Sequence, residues 1–151
     1  MCDIPVPVEN RETIVRALRE CHVRKGKLRN NVFRGRSGTD EVSVMRHTYL
    51  GSDACKKRGK EIASGDPDNP YVGIAAIPAE CVRSAGSEVT DSREEFCGHA
   101  HISHGMVETP GEPPPPELLG RLHRLVGLTR LLIDPDLATE TWAGEQIEAR
   151  V

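Results

Sequence analysis

Aromatic residues are scarce: Phe33, Tyr49, Tyr71, Phe96 and Trp142 are all that 151 residues contain. A core built on this chain must rest on Val, Ile, Leu and Ala, and a base-stacking platform for single-stranded nucleic acid, which needs several aromatics, is disfavoured. No apolar run approaches the roughly 20 residues of a membrane-spanning helix, so no membrane partner is expected. The start, Met1-Cys2-Asp3-Ile4-Pro5, has neither the basic residues nor the apolar stretch of a secretory leader. Cys-x-x-Cys, His-Glu-x-x-His and the Gly-x-x-x-x-Gly-Lys-Ser/Thr phosphate loop are all missing. The five cysteines, Cys2, Cys21, Cys55, Cys81 and Cys97, are odd in number and unevenly spaced. That pattern reads as reduced thiols, mostly core fillers, in a cytoplasmic protein.

Charge is present but lopsided. Residues 1–60 carry 14 Lys/Arg against 7 Asp/Glu, and residues 61–151 carry 6 against 16. Six of the fourteen residues from 23 to 36 are basic, among them Arg34 and Arg36. With Arg46, these arginines are the candidates for holding an anionic small molecule or a nucleic acid. The plainer alternative is a solvated basic loop, or two halves of opposite charge that face each other in the fold.

The chain is punctuated by turn residues at Ser37-Gly38-Thr39-Asp40 and Gly65-Asp66-Pro67-Asp68-Asn69-Pro70. Ahead of them the apolar periodicity predicts a helix after Asn10 ending near His22, carried by Ile14, Leu18 and Cys21. It predicts an alternating strand over 41–47 and a helix over 54–63 behind Ser52, with Cys55 and Ile62 facing inward. A doubly covered strand over 71–77, a short helix over 78–86 and a short strand over 87–90 follow. Residues 91–95 should be exposed. Thr109 to Pro116, with four consecutive prolines, reads as a stiff spacer. It feeds a helix from Glu117 to about Ile133, and a loop-like tail anchored by Trp142 ends the chain. The expected fold is α+β: a single compact domain with a small mixed or antiparallel sheet, flanking helices and a Pro-linked C-terminal helix. The expected division is a core at 1–106, a Pro-rich linker at 107–116, and a C-terminal helix and tail at 117–151 packing on the core.

The most informative stretch is Phe96-Cys97-Gly98-His99-Ala100-His101-Ile102-Ser103-His104-Gly105, which gathers three of the six histidines. As a strand it places Cys97, His99, His101 and Ser103 on one face. His99, His101 and Cys97 are therefore candidate ligands for a metal, with zinc foremost, and His104 could fold back to join them. The metal-free reading gives the proton to His99 or His101, with Glu41 as orienting group or base and Ser43 as a positioning hydroxyl. A Cys97 nucleophile paired with a histidine is a variant. Both need the strands at 41–47 and 96–103 to be neighbours. If they are, the set suits hydrolysis or group transfer on a phosphorylated or nucleotide substrate, metal optional. The rival is a non-enzymatic module or accessory subunit that docks a protein partner through its charged surface and last helix. Convergence of Glu41, His99 and His101 at a concave site favours the enzyme; scatter, with an apolar patch on the last helix, favours the module.

Overall fold

The β-branched run Thr13-Ile14-Val15 opens a strand, not a helix. In the computed structural model, which describes residues 1–35 and 39–147, β1 spans Thr13–Arg19 and lies inside the sheet. Ile14 and Leu18, four apart, satisfy a helical period and a two-residue period equally well. Burial of Val15 on the opposite face removes the alternation that would have told them apart. After a 3₁₀ turn at Glu20–His22 come the small hairpin β2 (Val23–Arg24) and β3 (Lys27–Leu28), then a second 3₁₀ turn at Asn30–Phe33 that buries Phe33 completely. β4 (Glu41–Arg46) leads through α1 (His47–Leu50) into α2 (Ser52–Ala63). The rest is β5 (Tyr71–Pro78), α3 (Ala79–Ser84), β6 (Glu88–Asp91), β7 (His99–Ser103), α4 (Pro116–Gly127) and β8 (Arg130–Ile133).

Six strands form one sheet in the order β6-β7-β4-β1-β5-β8, every neighbouring pair antiparallel, so the expected α+β class holds. One face, with Ile14, Val44 and Ile102, is covered by Phe33, α3 and α4; Leu118, Leu122 and Leu125 of α4 are buried there. The other, with Val15, Met45 and Ile74, is covered by α2 and the tail. Gly59 lets α2 lie close: a Cβ there would meet Ala17 Cβ at 2.6 Å. Among the described residues no helix is long and apolar enough to cross a membrane.

Several expectations need correction. The last helix stops at Gly127, where Leu128 N–H and Thr129 Oγ1 take the final carbonyls, and Leu131–Ile133 turn back as β8 beside β5. Cys55 faces inward but Ile62 is 58% exposed. The Asp91 side chain and Ser92, expected at the surface, are buried. The tail is anchored by fully buried Ile147 and by Lys56 more than by Trp142. Lys56 Nζ, itself inaccessible, reaches Asp134, Asp136 O, Thr139 and Thr141 O, while Tyr71 Oη donates to Asp134.

The N-terminal lead-in is tied down by guanidinium groups. Pro5 and Pro7 have no N–H to satisfy and offer only carbonyls. Arg46 donates to both, Arg93 to Ile4 O and Arg83 to Val8 O. A disulfide joins Cys2 to Cys97 across 95 residues, so the expectation of reduced thiols fails for this pair; Cys21, Cys55 and Cys81 are free. Cys2→Ser, or reduction, is expected to lower stability by about 2–4 kcal/mol by releasing a long closed loop. Urea unfolding with and without reductant measures it.

Candidate functional site

β4 and β7 are neighbours, in the register Glu41↔Ser103, Ser43↔His101 and Met45↔His99. Side-chain alternation then places Glu41, Ser43, His99 and His101 on one face. On the other side of β4 the ladder to β1 holds only two pairs, Ile14↔Arg46 and Val15↔Met45, and stops. Beyond it the strands part. Arg16 Nη1 crosses the gap to donate to Ser43 O at 3.2 Å. The gap opens into a cleft of about 380 Å³ lined by Arg16, Arg19, His22, Arg34, Glu41, Ser43, Phe96 and His99 among others.

His101 stands beside this cleft. Its Nδ1 is 3.4 Å from Glu41 Oε2, and its ring meets the His99 ring edge-on with centroids 4.8 Å apart. His99 in turn packs edge-on against Phe96 at 5.0 Å, and the Arg58 guanidinium lies over Phe96 at 4.1 Å. His99 is 3% exposed, and its Nδ1 is 3.3 Å from Ser92 O. A carbonyl only accepts, so the neutral ring carries its proton on Nδ1 and keeps the lone pair on Nε2. Burial, and then the neighbouring His101, lower its pKa.

At the opposite end the 3₁₀ turn at Glu20–His22 folds the His22 ring back, so that Nδ1 accepts from Arg19 N–H at 3.0 Å. Burial first, then Arg16, Arg19 and Arg29, push its pKa down to about 4. The sign for stability follows. The unfolded chain binds a proton near pH 6.5 that the folded chain refuses until about pH 4. Stability therefore falls as pH drops through that window, by about 3 kcal/mol from this residue. His99 and His104, also lowered by burial, act in the same direction. Urea midpoints across this pH range are the check.

The expected substrate arginines divide. Arg34 lines the cleft, where it also forms a fork with the Glu108 carboxylate at 2.6–3.2 Å. Arg36 lies outside the described residues. Arg46 is fully buried, and its five N–H groups meet Glu12 twice, Asp91, Pro5 O and Pro7 O. It holds the fold and has no donor left for a substrate. His104 does not join the row: Ser87 Oγ and Phe33 O, each at 2.7 Å, clamp its two nitrogens in the interior.

The donor set does not fit the expected zinc. Cys97 sulfur is bonded to Cys2, which also removes the thiol that a nucleophile would need. His99 Nδ1 is turned to Ser92 O. Among the described residues no group of three His, Cys, Asp or Glu side chains is placed to hold a metal ion, whereas zinc sites take three or four protein ligands.

Arg16, Arg19 and His22 were missed as site residues. Their only signal was a basic residue, Arg16, in the middle of an apolar run, which reads differently in a strand than in a helix. Comparison with protein-family models, curated proteins and solved structures finds no match to this chain.

Proposed function

We propose that the protein is a hydrolase or group-transfer enzyme acting on a small phosphorylated or nucleotide substrate held in the cleft between β1 and β4. The observation that carries this reading is a concave site lined by Glu41, Ser43 and His99 together with Arg16 and Arg19 of β1 and Arg34 just past the second 3₁₀ turn, with His101 beside it, 3.4 Å from Glu41. The cleft volume is near the low end of the roughly 300–1,000 Å³ of ligand pockets, which suits a monophosphate better than a dinucleotide.

On this reading Glu41 holds the Nδ1 proton of His101, which leaves Nε2 as the base that takes a proton from water or an acceptor hydroxyl. The depressed basicity of His99 keeps a second positive charge away when His101 becomes imidazolium. Arg16 and Arg34 offset the substrate's negative charge, and Ser43 positions the substrate from the floor. The docking alternative has α4 against it, because Leu118, Leu122 and Leu125 are spent on the sheet. The cytoplasm, expected from the sequence, has the Cys2–Cys97 bond against it.

The test is turnover of p-nitrophenyl phosphate and bis(p-nitrophenyl) phosphate by wild type, His101→Ala and Glu41→Gln. Release of nitrophenol that falls in both variants supports the reading. Release that is unchanged in His101→Ala rejects it.

A further inference from the structure

His22 is a histidine that the chain keeps neutral among arginines. It is 6% exposed, lines the cleft, and its proton position is fixed by geometry: Nδ1 is occupied by Arg19 N–H, so the hydrogen sits on Nε2. Among the described residues Nε2 has no hydrogen-bond partner. The charged groups facing the ring are Arg16, Arg19 and Arg29, all cationic, and together with burial they favour the uncharged form. The Nε2 edge is not sealed off from the cleft, so water or a ligand can accept from it. Here the surroundings are positive, so an anionic oxygen is the acceptor they favour most.

We propose that His22 is a specificity-determining residue of the cleft, presenting Nε2–H as a fixed neutral donor to a non-bridging oxygen of the substrate's phosphate beside the Arg16 guanidinium. This deepens the functional reading above and rests on its cleft, with the phosphate at the β1 end and the proton carrier, His101, at the β7 end. A neutral donor adds direction without further charge. It also keeps phosphate recognition independent of histidine titration around neutrality, where an ordinary imidazole would be changing state.

The experiment uses the full, disulfide-bonded chain and inorganic phosphate as the probe, with ¹⁵N NMR of the imidazole nitrogens. Phosphate should move the His22 Nε2 resonance and leave its Nδ1 bond to Arg19 intact. His22→Asn keeps an acceptor in the Nδ1 position but has no donor in the Nε2 position. It should fold, as judged by its unfolding midpoint, and bind phosphate about tenfold more weakly or worse. His22→Gln places an amide N–H where Nε2 was and should recover most of the affinity. The proposal is overturned if His22 resonances ignore phosphate, if His22→Asn binds like wild type, or if His22→Gln is as weak as His22→Asn. Ester turnover separates this from the functional reading. Phosphate binding that depends on His22, with turnover indifferent to His101→Ala, sinks the enzyme and leaves the phosphate site. Turnover that needs His101, with phosphate indifferent to His22, does the opposite.

Discussion

Arg46→Met is expected to cost the fold about 3–5 kcal/mol, the usual cost of removing one partner from a buried ionic cluster. The side chain is inaccessible, as are those of Glu12 and Asp91 to within 3%. Removing the guanidinium leaves two carboxylates and two proline carbonyls with five fewer donors. A protein of ordinary stability, about 5–15 kcal/mol, would be left near its limit. The pH response should also change. In the wild type, against the penalty of burial, hydrogen bonds from Arg93 and Arg46 hold Asp91 below the usual carboxylate range, so its contribution is lost as acid protonates it. In Arg46→Met only Arg93 is left to hold Asp91 ionised against the penalty of burial, so its pKa should rise relative to the wild type and mild acid should relieve part of the defect. Replacing Glu12 and Asp91 by their amides in the same background should do likewise at neutral pH. Urea unfolding of the three proteins at two pH values measures both effects. A loss under about 1 kcal/mol, in the range of an exposed ion pair, would show that the cluster is not the clasp its geometry implies.

His101→Ala is expected to lower turnover by about 10²–10⁴-fold with little change in stability, the range for loss of a positioned general base. The side chain stands at the margin of the cleft, 18% exposed, so its removal opens no sealed cavity. Glu41→Gln should cost less, because an amide still offers an oxygen to His101 Nδ1 but no longer stabilises the imidazolium. His99→Ala differs in kind: His99 is buried between Phe96 and Ser92 O, so stability and turnover should fall together. A steady-state profile of kcat and KM against pH for the four proteins separates these cases. In His101→Ala kcat should fall across the profile, while KM stays close to the wild-type value.

The pairing at the heart of the site was legible because alternation is unambiguous where one face is wet. Glu41, Ser43 and Met45 stand against Val42 and Val44, and His99 and His101 against Ala100 and Ile102, and those two strands do pair. Legibility failed where both faces are buried. β1 carries Ile14 and Leu18 on one face and Val15 and Ala17 on the other, so only the helical spacing of its largest residues stood out. That error hid Arg16, Arg19 and His22, because a helix would have sent them to solvent. The Pro-rich spacer and α4 were read from composition, but β8 was absorbed into the helix because Leu131, Leu132 and Ile133 extend its apolar pattern past Gly127. The role of Arg46 could not be read at all. Its partners lie 34 and 45 residues away in sequence, and a buried guanidinium looks like any other arginine until they are in place.

The central claim is that the opening between β1 and β4 is where a phosphorylated ligand binds. Backbone and imidazole NMR during titration with adenosine 5′-monophosphate tests it most directly. The account predicts saturable shifts gathered at Arg16, His22, Ser43, His99 and His101, with α4 and β8 silent. Shifts confined to other surfaces, or none at any concentration up to the solubility of the nucleotide, would contradict it.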